Sequence, residues 1–171
     1  MKLSRLTIYT MMGAIGAIAA GCGGNECYEN HSALPLSGFY SAFTGSKIGI
    51  NRLTIYGIGA PGDSMLYFDE MLNLAFLPFQ LDADTTTYVF AYMQFLEQGE
   101  SVDVSNPKIP KDTISFIYDR KPWFVSPACG AMYFFDMKKV TYTNHFIDSV
   151  ATEPTITNQN IENIKIFFNA E

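Results

Sequence analysis

From residue 34 onward the chain is written in short runs whose apolar side chains return at every second position. Ile114, Phe116 and Tyr118 fall on one side of their run, and Thr113, Ser115 and Ile117 on the other. Ile164, Ile166 and Phe168 repeat the pattern near the end. A period of two is the pleat of a β-strand with one buried face, and it does not fit a helix. Candidate strands cover residues 36–43, 51–58, 64–69, 72–81, 85–96, 113–119, 123–126, 132–143, 146–151 and 161–168. They are rich in Phe, Tyr, Ile, Val and Thr, which suit a half-buried pleated surface. Between them stand Gly59-Ala60-Pro61-Gly62, Asp82-Ala83-Asp84 and Glu153-Pro154, all turn chemistry. The spacing predicts an all-β fold, an Ig-like antiparallel β-sandwich of roughly nine strands. The best helical rival is residues 67–75, where Met71 and Leu72 could share a turn. Residues 97–111 are polar, hold two prolines and read as a long mobile loop.

The first residues obey another rule. Lys2 and Arg5 precede an apolar stretch from Leu6 to Ile18, then Ala19, Ala20, Gly21 and Cys22. Basic, apolar and small residues ending on a cysteine are the order of a lipoprotein signal peptide, residues 1–21. The apolar run is about a dozen residues, where a spanning helix needs roughly 20. Ala19 stands where Leu is usual, with the bulky Ile18 one place earlier. Cleavage before Cys22 frees its thiol and amine for acyl chains, and two or three chains hold a protein stably to a membrane. The plainer alternative is a secretory signal cut near Ala20, with Cys22 as a thiol. Residues 22–33 are small and polar, a flexible tether, and residues 34–171 form the domain. Removal of residues 1–21 leaves 150, enough for one core, and takes the formal charge from −6 to −8. An acidic chain without a Lys/Arg cluster argues against nucleic acid and against adsorption to anionic lipid. The lipid itself is the expected link to a membrane.

With Cys22 acylated, Cys27 and Cys129 remain as an even pair in an exported chain, and a disulfide between them is expected. Cys129 as a nucleophile would need a His, and only His31 and His145 exist.

A further set of residues carries a resemblance. It comprises the Cys27 segment, Leu53-Thr54-Ile55-Tyr56-Gly57, Leu77-Pro78-Phe79 before Thr85-Thr86-Thr87-Tyr88, and Phe124-Val125-Ser126-Pro127-Ala128-Cys129-Gly130. The ending Asn160-Ile161-Glu162-Asn163-Ile164-Lys165-Ile166-Phe167-Phe168 also belongs to it. In these the chain resembles a family of Bacteroidetes lipoproteins that share a domain of unknown function. Pro127 stands where relatives often carry Arg, and residues 97–111 look like an insertion. The resemblance implies a lipid-anchored periplasmic or outer-membrane sandwich, with an outer-membrane barrel as one implied partner. Exported proteins of such bacteria are commonly O-glycosylated at Asp followed by Ser or Thr. The resemblance therefore implies Ser64, Thr85, Thr113 and Ser149 as acceptors, although Asp before Ser or Thr is also ordinary turn chemistry.

Motifs of catalysis are missing: no Gly-x-Ser-x-Gly, no Gly-x-x-x-x-Gly-Lys, no His-Glu-x-x-His. His31 sits in the tether and His145 follows Asn144 in a turn, neither with a local partner to orient it. Asp82 and Asp84, with Asp69 and Glu70, could form a calcium site, but a tight turn explains their spacing without an ion. No cofactor or metal is implied. Aromatics make up 15% of the chain. Tyr88, Phe90 and Tyr92 share one side of a strand, as do Tyr133 and Phe135, and such rows more often fill a core than stack on sugars. Trp123 and Phe124 would be the platform of a glycan-binding module if exposed. The expected role is non-enzymatic: an accessory or interaction protein of the outer membrane facing the periplasm, with glycan binding as the alternative.

Overall fold

A computed structural model describes residues 34–59, 65–96, 103–126, 130–157 and 159–170, except the side chains of Val125 and Ser126. Ten strands follow in chain order: β1 Leu36–Ser41, β2 Ile50–Gly57, β3 Met65–Leu72, β4 Leu74–Phe76, β5 Thr85–Tyr92, β6 Lys111–Ser126, β7 Gly130–Tyr142, β8 Ile147–Thr152, β9 Thr155–Ile156 and β10 Glu162–Phe168. A single-turn 3-10 helix, Met93–Phe95, is the one helical element among the described residues.

The strands form two sheets, of order β4-β1-β10-β8 and β3-β2-β5-β6-β7-β9. The alternation read from the sequence is what joins them. Phe39 of β1 and Ile164, Ile166 and Phe168 of β10 face Leu53, Ile55, Phe90, Ile114, Phe116 and Tyr118 of the larger sheet, all fully buried. Phe79 enters from the β4–β5 connection and fills one end. Its ring stacks on Tyr118 at 4.6 Å and meets Phe135 edge-on at 5.3 Å. Residues 67–75 are strand, not helix, and Asn73 is the hinge at which the chain passes from the large sheet to the small one.

The sandwich differs from the expectation in several places, beginning with the ends of two runs: residues 77–81 are connection rather than strand, and residues 93–95 leave β5 as the 3-10 turn. Its strand pairs are antiparallel except β1 with β10, which run parallel from Leu36–Glu162 to Ser41–Phe168. Residues 113–119 and 123–126 are one strand, because Pro122 lies opposite Tyr133 in a two-stranded ribbon and need not donate to a second neighbour. β9 is only two residues long, too short for an alternation to show. The described part of the 97–111 loop is packed rather than free. Ile109 is buried with Ala91, Met93 and Leu96, and Lys111 already belongs to β6.

Candidate functional site

One end of the sandwich is extended by the ribbon of β6 and β7. β5 pairs with β6 only as far as Ile117, while β7 follows β6 on to Ser126. Past the Arg120–Phe135 pair the ribbon therefore runs on for about 20 Å without β5, at the usual rise per residue. Gly130, with φ of +73°, opens its return strand in a conformation that disfavours any side chain. Trp123 is 55% exposed, Phe124 65% and Tyr133 40%, and Trp123 lies on the Phe134 ring at 5.4 Å and 17°. Three ion pairs collar its base: Lys121–Asp136, Lys138–Asp119 at 2.6 Å and Arg120–Asp84 at 3.1 Å. Of the aromatic rows read from the sequence, Tyr88, Phe90 and Tyr92 are core. Phe135 is core as well, but Tyr133 lies outside it on the ribbon.

A second apolar surface runs along the edge strands β3 and β4. Leu66, Phe68, Met71, Leu74 and Phe76 are all exposed, Met71 to 72%. Among the described residues β3 pairs only with β2, and β4 only with β1. The β2–β3 pairing is irregular. Arg52 and Asp69 both take a positive φ, of 51° and 52°, which costs non-glycine residues energy. Two parallel hydrogen bonds from the Arg52 guanidinium to the Asp69 carboxylate, 2.9 and 3.1 Å, hold that bulge together. Asp69 is thereby occupied, as Asp84 is by Arg120, and no three His, Cys, Asp or Glu converge among the described residues. The carboxylates considered for calcium do not form a cage.

At the opposite end lies a charged group that the sequence did not disclose. Asp112 is fully buried, and its carboxylate accepts hydrogen bonds from the Thr143 hydroxyl and from the backbone N–H of His145, Phe146 and Ile147. The Tyr92 hydroxyl adds another at 3.1 Å, and the His145 ring Nδ1 sits 3.0 Å away. Burial alone would push this carboxyl up, but the hydrogen bonds outweigh it and hold it below the usual carboxylate range. Burial, with the Asp112 charge beside it, pushes the Tyr92 phenol far up. His145 thus has a partner, 33 positions away in the chain. Its imidazole is nonetheless mostly exposed, and the carboxylate ties down the β7–β8 turn. A cavity of about 390 Å³ lies elsewhere, between β2 and the 103–110 turns, lined by Tyr56, Ile58, Met65, Val104 and Lys111, with no His or carboxylate among its described lining residues.

On the outer face of the small sheet, Glu162 accepts from the Tyr40 hydroxyl and pairs with Lys47 at 2.7 Å. Burial raises the Glu162 carboxyl, but Lys47 and Tyr40 outweigh that and hold it low. Gly38 leaves the room, since a Cβ there would sit 2.2 Å from Glu162 Oε2.

Of the residues singled out for modification, Thr85 is exposed at the start of β5. Thr113 is half-buried beside the buried Asp112, and the half-buried Ser149 donates to Asp148 at 2.9 Å. Ser64, Cys22, Cys27, Cys129, His31, the signal and the tether lie outside the described residues, so the expected disulfide does too. No described helix is long and apolar enough to cross a membrane.

Comparison with known proteins adds one relationship: the model of a family of unknown function, DUF6452, matches residues 52–168. No curated protein and no solved structure matches.

Proposed function

This chain belongs to the family of unknown function DUF6452, and from that premise we propose that it is a lipid-anchored, non-enzymatic interaction protein of the outer membrane. In this reading residues 1–21 are removed, Cys22 is acylated, residues 22–33 are the tether, and Cys27 bridges to Cys129. The domain faces the periplasm and engages another envelope protein, such as an outer-membrane barrel. The observation that carries the reading is the β3–β4 edge. Its two strands have no second neighbour among the described residues and bear six exposed apolar side chains, Met65 with the five above, a surface suited to an added strand from a partner. The dyad of Asp112 and His145 supports the same side of the argument, since its carboxylate is consumed by structural hydrogen bonds. Among the described modification sites, Thr85 is the best-placed acceptor for a glycan.

The test is recovery of a partner from detergent-solubilised envelopes by the tagged chain and by its Phe68→Lys and Met71→Lys variants. A protein captured by the native chain and lost from both variants supports the reading; equal recovery by all three refutes it. Intact mass of the native protein checks its covalent parts, because polypeptide mass alone, without acyl chains, would exclude the anchor. A mass equal to polypeptide plus lipid would exclude the glycan.

The glycan-binding alternative gains the exposure of Trp123 and Phe124 that it requires. It loses the rest. Consecutive strand residues point to opposite faces, so the two rings do not make one platform, and residues 122–135 contain no Asp, Glu, Asn, Gln, Lys or Arg to hydrogen-bond a sugar.

A further inference from the structure

The chemistry of the β6–β7 ribbon changes abruptly at its base. Below it stand Asp119, Arg120, Lys121, Asp136 and Lys138, joined in ion pairs with one another and with Asp84. Beyond it, residues 122–135 hold no charged residue at all, yet include Trp123, Phe124, Tyr133 and Phe134. A docking surface for a folded partner is normally one face of a strand pair. Here the exposed rings lie on both faces, with Trp123 against Phe134 on one and Phe124 beside the Pro122–Tyr133 pair on the other. Met132 is covered beneath Trp123, but Trp123, Phe124 and Tyr133 stay exposed, and an apolar medium that reaches both faces would cover all three. Trp and Tyr above a collar of charges are the side chains that settle at the boundary between headgroups and acyl chains.

The path of the chain points the same way. Pro35, at the start of the described fold, accepts a hydrogen bond from Leu77 at 2.9 Å. Two residues on, Phe79 stacks against Tyr118, where β6 has just left β5 to become the ribbon. The described fold therefore begins at the end from which the ribbon departs. If the chain before residue 34 carries the acylated Cys22 proposed above, anchor and ribbon face one membrane; this orientation rests on that reading, while the ribbon's chemistry does not.

We infer that the exposed rings of the β6–β7 ribbon, Trp123, Phe124 and Tyr133, enter the interfacial layer of a lipid bilayer. The contact is apolar, so it neither requires anionic lipid nor weakens when charges are screened.

Trp123 is the only tryptophan in the chain, so its fluorescence reports on the ribbon alone. The test uses the chain from residue 22 with Cys22→Ser, which keeps every residue of the described fold but carries no acyl chain. It is mixed with vesicles of phosphatidylcholine, plain or brominated along the acyl chains. The expected result is a shift of emission to shorter wavelength and quenching by the bromolipid, unchanged in about 1 M salt. Phe124→Asp with Tyr133→Asp is expected to weaken partition about tenfold or more, with unchanged circular dichroism. Phe43→Asp, an exposed apolar site beyond the far end of β1, is expected to leave it unaltered. An emission spectrum indifferent to vesicles overturns the inference. So does binding abolished by salt, or equal loss in the Phe43 variant. Because this protein lacks the acyl group, failure here leaves the anchoring proposal to its own test by mass.

Discussion

Replacing Asp112 by Asn keeps the shape of the side chain and removes only its charge and one acceptor. The cheapest placement puts the new amide at the Oδ1 position. There the Thr143 hydroxyl and the exposed His145 ring can turn away, and only the His145 N–H loses its acceptor. The remaining oxygen keeps the Tyr92 hydroxyl and the N–H groups of Phe146 and Ile147. Hydrogen bonds to a charged group contribute about 1.5–3 kcal/mol and neutral ones about 0.5–1.5, so three weakened bonds and one lost sum to roughly 4 kcal/mol. Relief of burying a charge offsets part of this. The expected net loss is about 2–4 kcal/mol at pH 7, a large share of the ~5–15 kcal/mol typical of a domain. Urea denaturation of native and Asp112→Asn proteins measures it. The pH dependence supplies the sharper check. The folded carboxyl lies below its ordinary value, so its contribution is fully present above the unfolded value of about 4 and fades as pH falls through the folded one. Other carboxylates titrate in both proteins, so the difference between the two curves isolates Asp112. That difference should shrink on acidification below pH about 4. A difference under about 0.5 kcal/mol at pH 7, or one constant down to pH 2, would refute the reasoning.

Three further outcomes follow from the packing. Phe79→Ala removes the ring shared by Phe116, Tyr118 and Phe135 and should cost about 3–5 kcal/mol in urea denaturation. Gly38→Ala must push aside the end of a flexible Glu162 side chain rather than backbone, so a loss of only about 1 kcal/mol is expected. A fall in the Lys47–Glu162 contribution, read as a weaker acid dependence of stability, should accompany it. If the Cys27–Cys129 bridge exists as proposed, reduction should lower stability by up to roughly 5 kcal/mol, since the closed loop spans about 100 residues; an unchanged urea midpoint on reduction would count against the bridge.

Where one sheet face is buried, the strands were legible. β1, β2, β5, β8 and β10 stand within a few residues of their alternating runs, because burial of every second side chain is what writes the pattern. β6 was read as two pieces because Pro122 interrupts the alternation in a part of the strand that no sheet buries. β3 invites a helical reading for a similar reason: before Leu72 neither face is fully buried, and the bulge at Asp69 breaks its period. Trp123 and Phe124 were visible as candidates, yet their exposure depends on β5 ending opposite Ile117, which no local residue announces. In the sequence Asp112 is only an acid before Thr113 at the start of an alternating run. Nothing in its own run reveals donors that arrive from residues 143–147.

The single parallel pair has a consequence for when this domain can exist. β10, the last strand made, lies in the interior of the small sheet, between β1, the first, and β8. Until its final residues are available, β8 has no neighbour in that sheet, and the inward faces of Phe39 and Ile147 lack Ile164, Ile166 and Phe168. A chain emerging from its amino end therefore cannot close early around a partial core, whatever its first strands do. It stays open for almost the whole of its synthesis and locks only once residue 168 is free to pair.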